Sequence, residues 1–423
     1  METEPLLRIP DVAATPVRGP VDDGRDRHIL VIVENIPLCV DHRVRKQVDD
    51  LLMAGYRVSV VTRRDPGNSA YRERTNLSLL EYPSLPESSG MAGYVREYTQ
   101  AFVWAGILSV AARLRGRIDV VQLCQPPDIY FPLARLLRWS GATVVLDQRD
   151  LMPELYLARY GNPRMGVLAG LAWLERRTQR VAQYVICVNG YLSDRAVRVG
   201  AHPERVAIVR NGPLLRRVAA ARPNPALRCG FESLCCWVGK IGRQDRVDLL
   251  LRAVAHLVHD LGRRDCRFTI IGDGECLDEM RELASHLDLD RWVAFPGWLP
   301  ESEVFSYLAS ADIGLDASVQ AEVSPVKAME YMAFSLPIVA FDLPETAALV
   351  DGAAVLVPPM DVERLGREIA ALLDDPASRA ALGGIGRHRV ATELSWERQG
   401  LTYLQVIGQA VKEGRRSRSA HHG

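Results

Sequence analysis

The sequence has no excess of charge of either sign: lysine plus arginine and aspartate plus glutamate each number 52 over 423 residues. Net charge therefore gives no reason to expect nucleic acid or a bulk anionic surface as the main partner. A cysteine framework is also missing. The 8 cysteines include no Cys-x-x-Cys pair, and only Cys235 and Cys236 are adjacent. This excludes a disulfide-stapled fold and a thiolate zinc site, and points to a reducing, cytoplasmic compartment. His28, His42, His202, His256 and His259 show no metal-ligand spacing, so no metal site is expected. Long apolar runs are absent too: Ala101 to Ala112 falls short of the ~20 residues a helix needs to cross a bilayer, and reads as a buried or interfacial helix. Residues 1–27 carry Pro, Asp, Glu and Arg throughout, without the apolar core of a signal peptide, and are expected to form a disordered arm.

From His28 onward short β-rich runs alternate with helical stretches, the pattern of a parallel sheet wrapped by helices. The rhythm breaks at residues 211–230, where three prolines and an Asn-Gly step read as a linker, and then resumes. The expected fold class is α/β with two doubly wound domains, residues 28–210 and 231–394. A helix at 395–411 and a basic tail at 412–423 follow. Arg415, Arg416 and Arg418 in that tail read as a solvated terminus. Two such domains leave a cleft between the carboxyl edges of their sheets, where ligands of these folds sit. Asp49, Asp50, Asp374 and Asp375 read as solvated helix residues.

The chemistry concentrates between Ser324 and Asp342, SPVKAMEYMAFSLPIVAFD. Ser324 is a good N-cap and Pro325 a good first helical residue, so a helix is expected to begin here with unpaired amides facing the sheet edge. Such a start attracts phosphate. Lys327 in the first turn opposes the helix dipole unless an anion offsets it, and a diphosphate is such an anion. Glu330, near the same face, can accept hydrogen bonds from the vicinal hydroxyls of a ribose. A plain capped helix with a solvated Lys and Glu is the alternative reading of these residues. The Gly272-Asp273-Gly274 step reads as a turn.

The same segment, with Glu322 eight positions before Glu330, resembles the donor-binding signature of glycosyltransferase family four, matching the variant SPxKxxEYMA at Ser324, Pro325, Lys327, Glu330, Tyr331, Met332 and Ala333. WVGKIGRQDRVDLLLRA from Trp237 and FTIIGDGE from Phe268 resemble the family's phosphate-facing loop and glycine turn. QPPD, LDQRDLMPELY and VRNGP resemble members that assemble bacterial surface polysaccharides.

The resemblance implies a GT-B fold and a sugar transferase of the retaining, metal-independent kind. No separate cofactor is implied, the nucleotide-diphosphate sugar being the donor substrate. The acceptor would be a glycan or a lipid-linked molecule, met by a protein that is cytoplasmic or peripheral at the inner face of the membrane. Glu330 would hold the ribose and Glu322 would face the donor sugar. Lys327, Lys240 and the amides after Ser324 would serve the diphosphate, with Pro325, which has no N–H to give, and Val326 lining the donor side of that turn. Gly272 would lie in the donor loops, and Phe295 and Trp298 near the nucleobase. Two departures stand out. Asp245 and Arg246 replace a lysine and glycine of many relatives, so Arg243 or Arg246 would have to supply the second cation. Arg149, followed by Asp150, stands where many relatives have histidine; it cannot act as a neutral base, but could bind a hydroxyl, a carboxylate or a phosphate. Arg43, Arg149 and Asp150 are placed on the acceptor side. An Asp-x-Asp pair on a metal-binding loop is not expected. The competing readings are a nucleotide-sugar epimerase on the same fold and a degenerate nucleotide-sugar-binding partner protein.

Overall fold

The computed structural model describes residues 27–33, 36–83, 91–160, 164–320 and 324–419. The arm expected at 1–27, apart from Arg27, lies outside the described residues. So do Glu322 and the last four residues of the tail.

Seven strands make the first sheet: β1 (His28–Ile32), β2 (Arg57–Arg63), β3 (Leu77–Tyr82), β4 (Val120–Gln125), β5 (Thr143–Gln148), β6 (Tyr184–Cys187) and β7 (Val206–Ile208). Six make the second: β8 (Ser233–Val238), β9 (Cys266–Ile271), β10 (Val293–Gly297), β11 (Ile313–Asp316), β12 (Ile338–Phe341) and β13 (Ala354–Val357). The spatial orders are β3-β2-β1-β4-β5-β6-β7 and β10-β9-β8-β11-β12-β13. Every pairing is parallel. Central strands such as β1 and β4 are buried along their whole length, which their valine-, isoleucine- and leucine-rich sequences require of a sheet covered on both faces. Each sheet has a core on either side, as the doubly wound expectation demands. Strand order reverses beside β1 and β8, opening a crevice at the carboxyl edge of each sheet.

The carboxyl edges of the two sheets meet. Glu345, in the Pro344–Val350 helix after β12, accepts a hydrogen bond from the Tyr191 amide at 2.6 Å, at the start of the Gly190–Val199 helix after β6. Arg210 flanks the same carboxylate at 3.6 Å. The segment read as a linker is ordered against the second domain, with Val218 of its Leu215–Ala220 helix in that domain's core.

The last helix, Trp396–Ser419, runs through most of the segment read as a tail. It returns to the first domain, where Trp396, Tyr403, Ile407, Ala410 and Val411 join the core under β1, β2 and the His42–Met53 helix. The two crossings between domains touch. Trp396 N–H donates to the Pro213 carbonyl at 2.9 Å, and a side chain at Gly212 would fall 1.7 Å from the Leu394 carbonyl oxygen, so only glycine fits there. Asp50 is not solvated: its carboxylate accepts from the Trp396 indole at 2.9 Å. Burial pushes its pKa up to about 7, against the lowering effect of that bond.

Candidate active site

Two loops at the carboxyl edge of the second sheet are locked backbone to backbone. After β8, Gly239 N–H donates to Ile271 and Ile241 N–H to Asp273, at 3.0 and 2.9 Å. Gly272 is more than a turn residue. Its φ is +144°, and a Cβ there would stand 1.8 Å from the Gly239 carbonyl oxygen.

The helix expected to take Ser324 as cap and Pro325 as first residue begins one residue later, at Val326, with Pro325 as the cap and no side-chain cap bond. Proline's fixed φ is accommodated at the cap itself, here −76° with ψ 71°. The Ser324 hydroxyl is therefore buried without a partner among the described residues. Lys327 in the first turn is not an uncompensated cation. Its ammonium lies 3.4 Å from both Asp245 and Asp316, 3.5 Å from the Ser318 hydroxyl and 4.4 Å from the Trp237 ring centroid. The aspartate that departs from the family's loop lysine thus binds a lysine arriving from the helix. Burial raises the Asp245 pKa, and Lys327 opposes that rise.

Lys240 is 70% exposed and loosely paired with Glu275 at 3.6 Å, a contact too weak to hold it from a ligand. Arg246 adopts a left-handed φ of +49° and forks onto Asp248 at 2.8 and 2.9 Å. With the exposed Arg243 it lines a 470 Å³ pocket between the Val247–Ala255 and Leu277–His286 helices, together with Arg252 and His286; Glu330 is not part of that lining. Phe295 packs on the second-domain core, and Trp298, beyond Gly297, is 73% exposed. One Asp-x-Asp step does occur, at Asp288-Leu289-Asp290. It lies in the turn before β10, at the opposite edge of the sheet from Glu330.

Glu330 carries the main electrostatic feature. Among the described residues no hydrogen-bond donor or ion-pair partner reaches its carboxyl group. Burial pushes its pKa up to about 7, Lys46 opposing the rise and Glu301 adding to it. Lys46, from the first domain, escaped the sequence reading because a lysine on an amphipathic helix reads as solvated. Its ammonium donates to Asn211 Oδ1 at 2.7 Å and to the Gly212 carbonyl at 2.8 Å, and lies 4.6 Å from the Trp396 ring centroid. Burial pulls the Lys46 pKa down to about 7.

If Glu330 holds the ribose, as the resemblance implies, nucleoside diphosphate affinity is expected to rise with pH through about 7. A raised carboxyl pKa in the free protein means that binding a ribose diol must first drive off a proton below that value and need not above it. Calorimetry on either side of this midpoint checks the sign. Glu330→Gln should flatten the profile, and Lys46→Met, by removing the opposing charge, should move its midpoint upward.

Arg43, Arg149 and Asp150 do sit at the carboxyl edge of the first sheet, but both guanidiniums are committed within the protein. Arg43 forks onto Asp147 at 2.7 and 3.1 Å and donates to the Val209 carbonyl at 2.8 Å. Arg149 binds Asp41 at 2.6 Å and Asp147 at 3.2 Å, leaving an 18% exposed side chain. A buried chain continues from Asp147 through Gln47 and Gln122 to the Tyr403 hydroxyl. Burial would raise the Asp147 pKa; Arg43 and Arg149 outweigh it and hold the value at about 2. Asp150 is exposed.

Residues 40–212 match the family Glycosyl transferase 4-like domain, and residues 232–375 match Glycosyl transferases group 1. The chain is 32% identical over 173 residues to the GDP-mannose-dependent monoacylated alpha-(1-6)-phosphatidylinositol monomannoside mannosyltransferase of Corynebacterium glutamicum, covering 38% of this chain and only 43% of that protein. It is 31% identical over 316 residues to the 2-deoxystreptamine glucosyltransferase of Streptomyces kanamyceticus, covering 71% and 73%. The sucrose-phosphate synthase of Thermosynechococcus elongatus shares the fold, with a TM-score of 0.71 at 18% identity over 90% of this chain and 98% of that one. Two matched families in succession, and a relative aligned along most of its length, agree with the paired doubly wound sheets: the chain belongs to glycosyltransferase family four, with the GT-B fold.

Proposed function

We propose that this protein moves a sugar from a nucleoside-diphosphate donor, held by the second domain, to a glycan or lipid-linked acceptor held by the first. Glu330 carries the reading: its half-buried carboxyl, pushed up to about 7, has no partner among the described residues and leaves its oxygens open to accept from a ribose diol. In the reaction the bond from the anomeric carbon to the terminal phosphate oxygen breaks and a bond to the acceptor oxygen forms on the same face. The acceptor proton passes to the departing phosphate. Lys240 and the positive end of the Val326–Ala333 helix dipole meet the charge that develops there, without a divalent metal; the Val326 and Ala328 amides are already donated to the Ser324 and Pro325 carbonyls.

One observation favours a second reading, a sugar-nucleotide-binding protein without transfer: Lys327 is already flanked by two carboxylates. Time-resolved release of nucleotide in the presence of acceptor separates the two, since binding alone releases none. For the mechanism, chelator should leave activity standing, and proton NMR of fresh product should show the donor's anomeric configuration. An inverted product, or activity lost to chelator and restored by magnesium, would overturn it.

A further inference from the structure

At the start of the Val326–Ala333 helix one cation is set between two anions. The Lys327 ammonium has three N–H groups, and three acceptors surround it: Asp245 and Asp316 at 3.4 Å and the Ser318 hydroxyl at 3.5 Å. A committed ammonium–carboxylate pair closes to about 2.7–2.9 Å. Both carboxylates stop short of that, so the ammonium is shared between them and bound tightly by neither. The Trp237 ring backs it at 4.4 Å.

The root of Lys327 is fixed. One turn along the same helix the Tyr331 hydroxyl, fully buried, donates to the Leu315 carbonyl at 3.1 Å and accepts from the Val238 amide at 3.0 Å, which ties the helix to β8 and β11. The lysine stem then passes over the loop after β8, where a Cβ on Gly239 would lie 3.5 Å from Lys327 Cε. A change in the ammonium's surroundings therefore has to come from its counterions.

Those two counterions differ in how they are held. Asp316 ends β11, is 5% exposed, and accepts from the Ser318 amide at 3.1 Å and the Ser318 hydroxyl at 2.6 Å. Asp245 sits on the short Arg243–Asp245 turn of the loop, and among the described residues its carboxylate finds Lys327 and the Gly242 backbone. Burial disfavours its charge, Lys327 opposes that effect, and Asp316 adds to it. Around Lys327 two carboxylates leave a surplus of one negative charge, which a diphosphate cannot join until one of them gives way.

We propose that the two carboxylates act in opposite senses on the donor: Asp316 is a positioning residue that holds the Lys327 ammonium in place, and Asp245 is an exchangeable counterion whose position the diphosphate takes. This rests on the reading above that the second domain holds a nucleoside-diphosphate donor. The exchange involves no covalent step. Asp245 moves aside with its loop, the ammonium keeps Asp316, and the phosphate oxygens replace the lost acceptor. The flanking carboxylates are then part of donor selection, because a ligand with one phosphate offers less charge with which to displace Asp245.

The test is calorimetry of the full chain with uridine, guanosine, adenosine and thymidine diphosphates, and with the monophosphate of whichever base binds. Asp245→Asn should raise diphosphate affinity several-fold and Asp316→Asn should lower it several-fold, each changing monophosphate affinity less. Ser318→Ala, which loosens Asp316 but keeps its charge, should act in the same direction as Asp316→Asn and more weakly. In a Lys327→Met background Asp316→Asn should no longer weaken binding, because the residue acts through that ammonium. Changes of the same sign in Asp245→Asn and Asp316→Asn would overturn the exchange, as would an undiminished effect of Asp316→Asn without Lys327. Either result, in a parent that binds a diphosphate, leaves the transfer reading standing. A parent that binds none of the four defeats that reading and this inference together.

Discussion

Glu330→Ala is expected to weaken nucleoside diphosphate binding by roughly ten- to a hundredfold while leaving the fold intact. Hydrogen bonds from two ribose hydroxyls to a carboxylate are worth about 1.5–3 kcal/mol, and alanine removes both. The same substitution should leave the melting temperature of the free protein unchanged or raise it. In the structure this half-buried carboxyl group has no donor to orphan, and only the field of Lys46 favours its charged form. Calorimetry and thermal melts on one preparation give both readouts. Unchanged affinity removes Glu330 from the site, and a large fall in melting temperature would mean that the carboxyl is structural.

The opposite signature is expected at Asp147. Asp147→Ala removes the anion shared by Arg43 and Arg149 and leaves the Arg43 guanidinium, 4% exposed, uncompensated beneath the sheet edge. Breaking a buried pair by deleting one partner costs about 3–5 kcal/mol, a large part of a domain's stability. Denaturant unfolding should show the loss as an earlier transition of the first domain. A transition indistinguishable from the parent's would mean that the cluster relaxes and that the arginines are available for ligand. Lowering the pH should mimic the substitution only near 2, where this carboxylate gains its proton.

How much of this could be read in advance depended on how local the cause was. The alternation that set the two sheets apart is local, and its strands appear where periodicity puts them. The two not read in advance, β3 (Leu77–Tyr82) and β13 (Ala354–Val357), are edge strands: β3 mixes Ser and Glu into its run, while β13, though apolar throughout, is closed off by a glycine turn before it and two prolines after it. The motif around Glu330 was legible because it is contiguous. Lys327's surroundings were not: Asp316 and Asp245 arrive from 11 and 82 positions away, and only the fold reveals that the loop aspartate and the helix lysine form a pair. Lys46 is the extreme case, since it acquires its meaning from Asn211, Gly212 and Trp396. Arg149 looked like a residue for a ligand because its sequence neighbours resemble a site; in the fold it is taken up by one of those neighbours, Asp147 two positions before it, and by Asp41, a helix cap 108 positions away.

The return of the final helix to the first domain has a consequence for synthesis. A chain emerging from the ribosome begins to fold from its amino end. Here the first domain to appear is the last that can be finished, because its core includes Trp396, Tyr403, Ile407 and Ala410, made after all thirteen strands. The second domain, contiguous in sequence, can close while the first still exposes the apolar underside of β1 and β2. A nascent chain that has emerged as far as residue 394 would therefore carry one complete domain and one open core, and that open core is where a chaperone would be expected to bind.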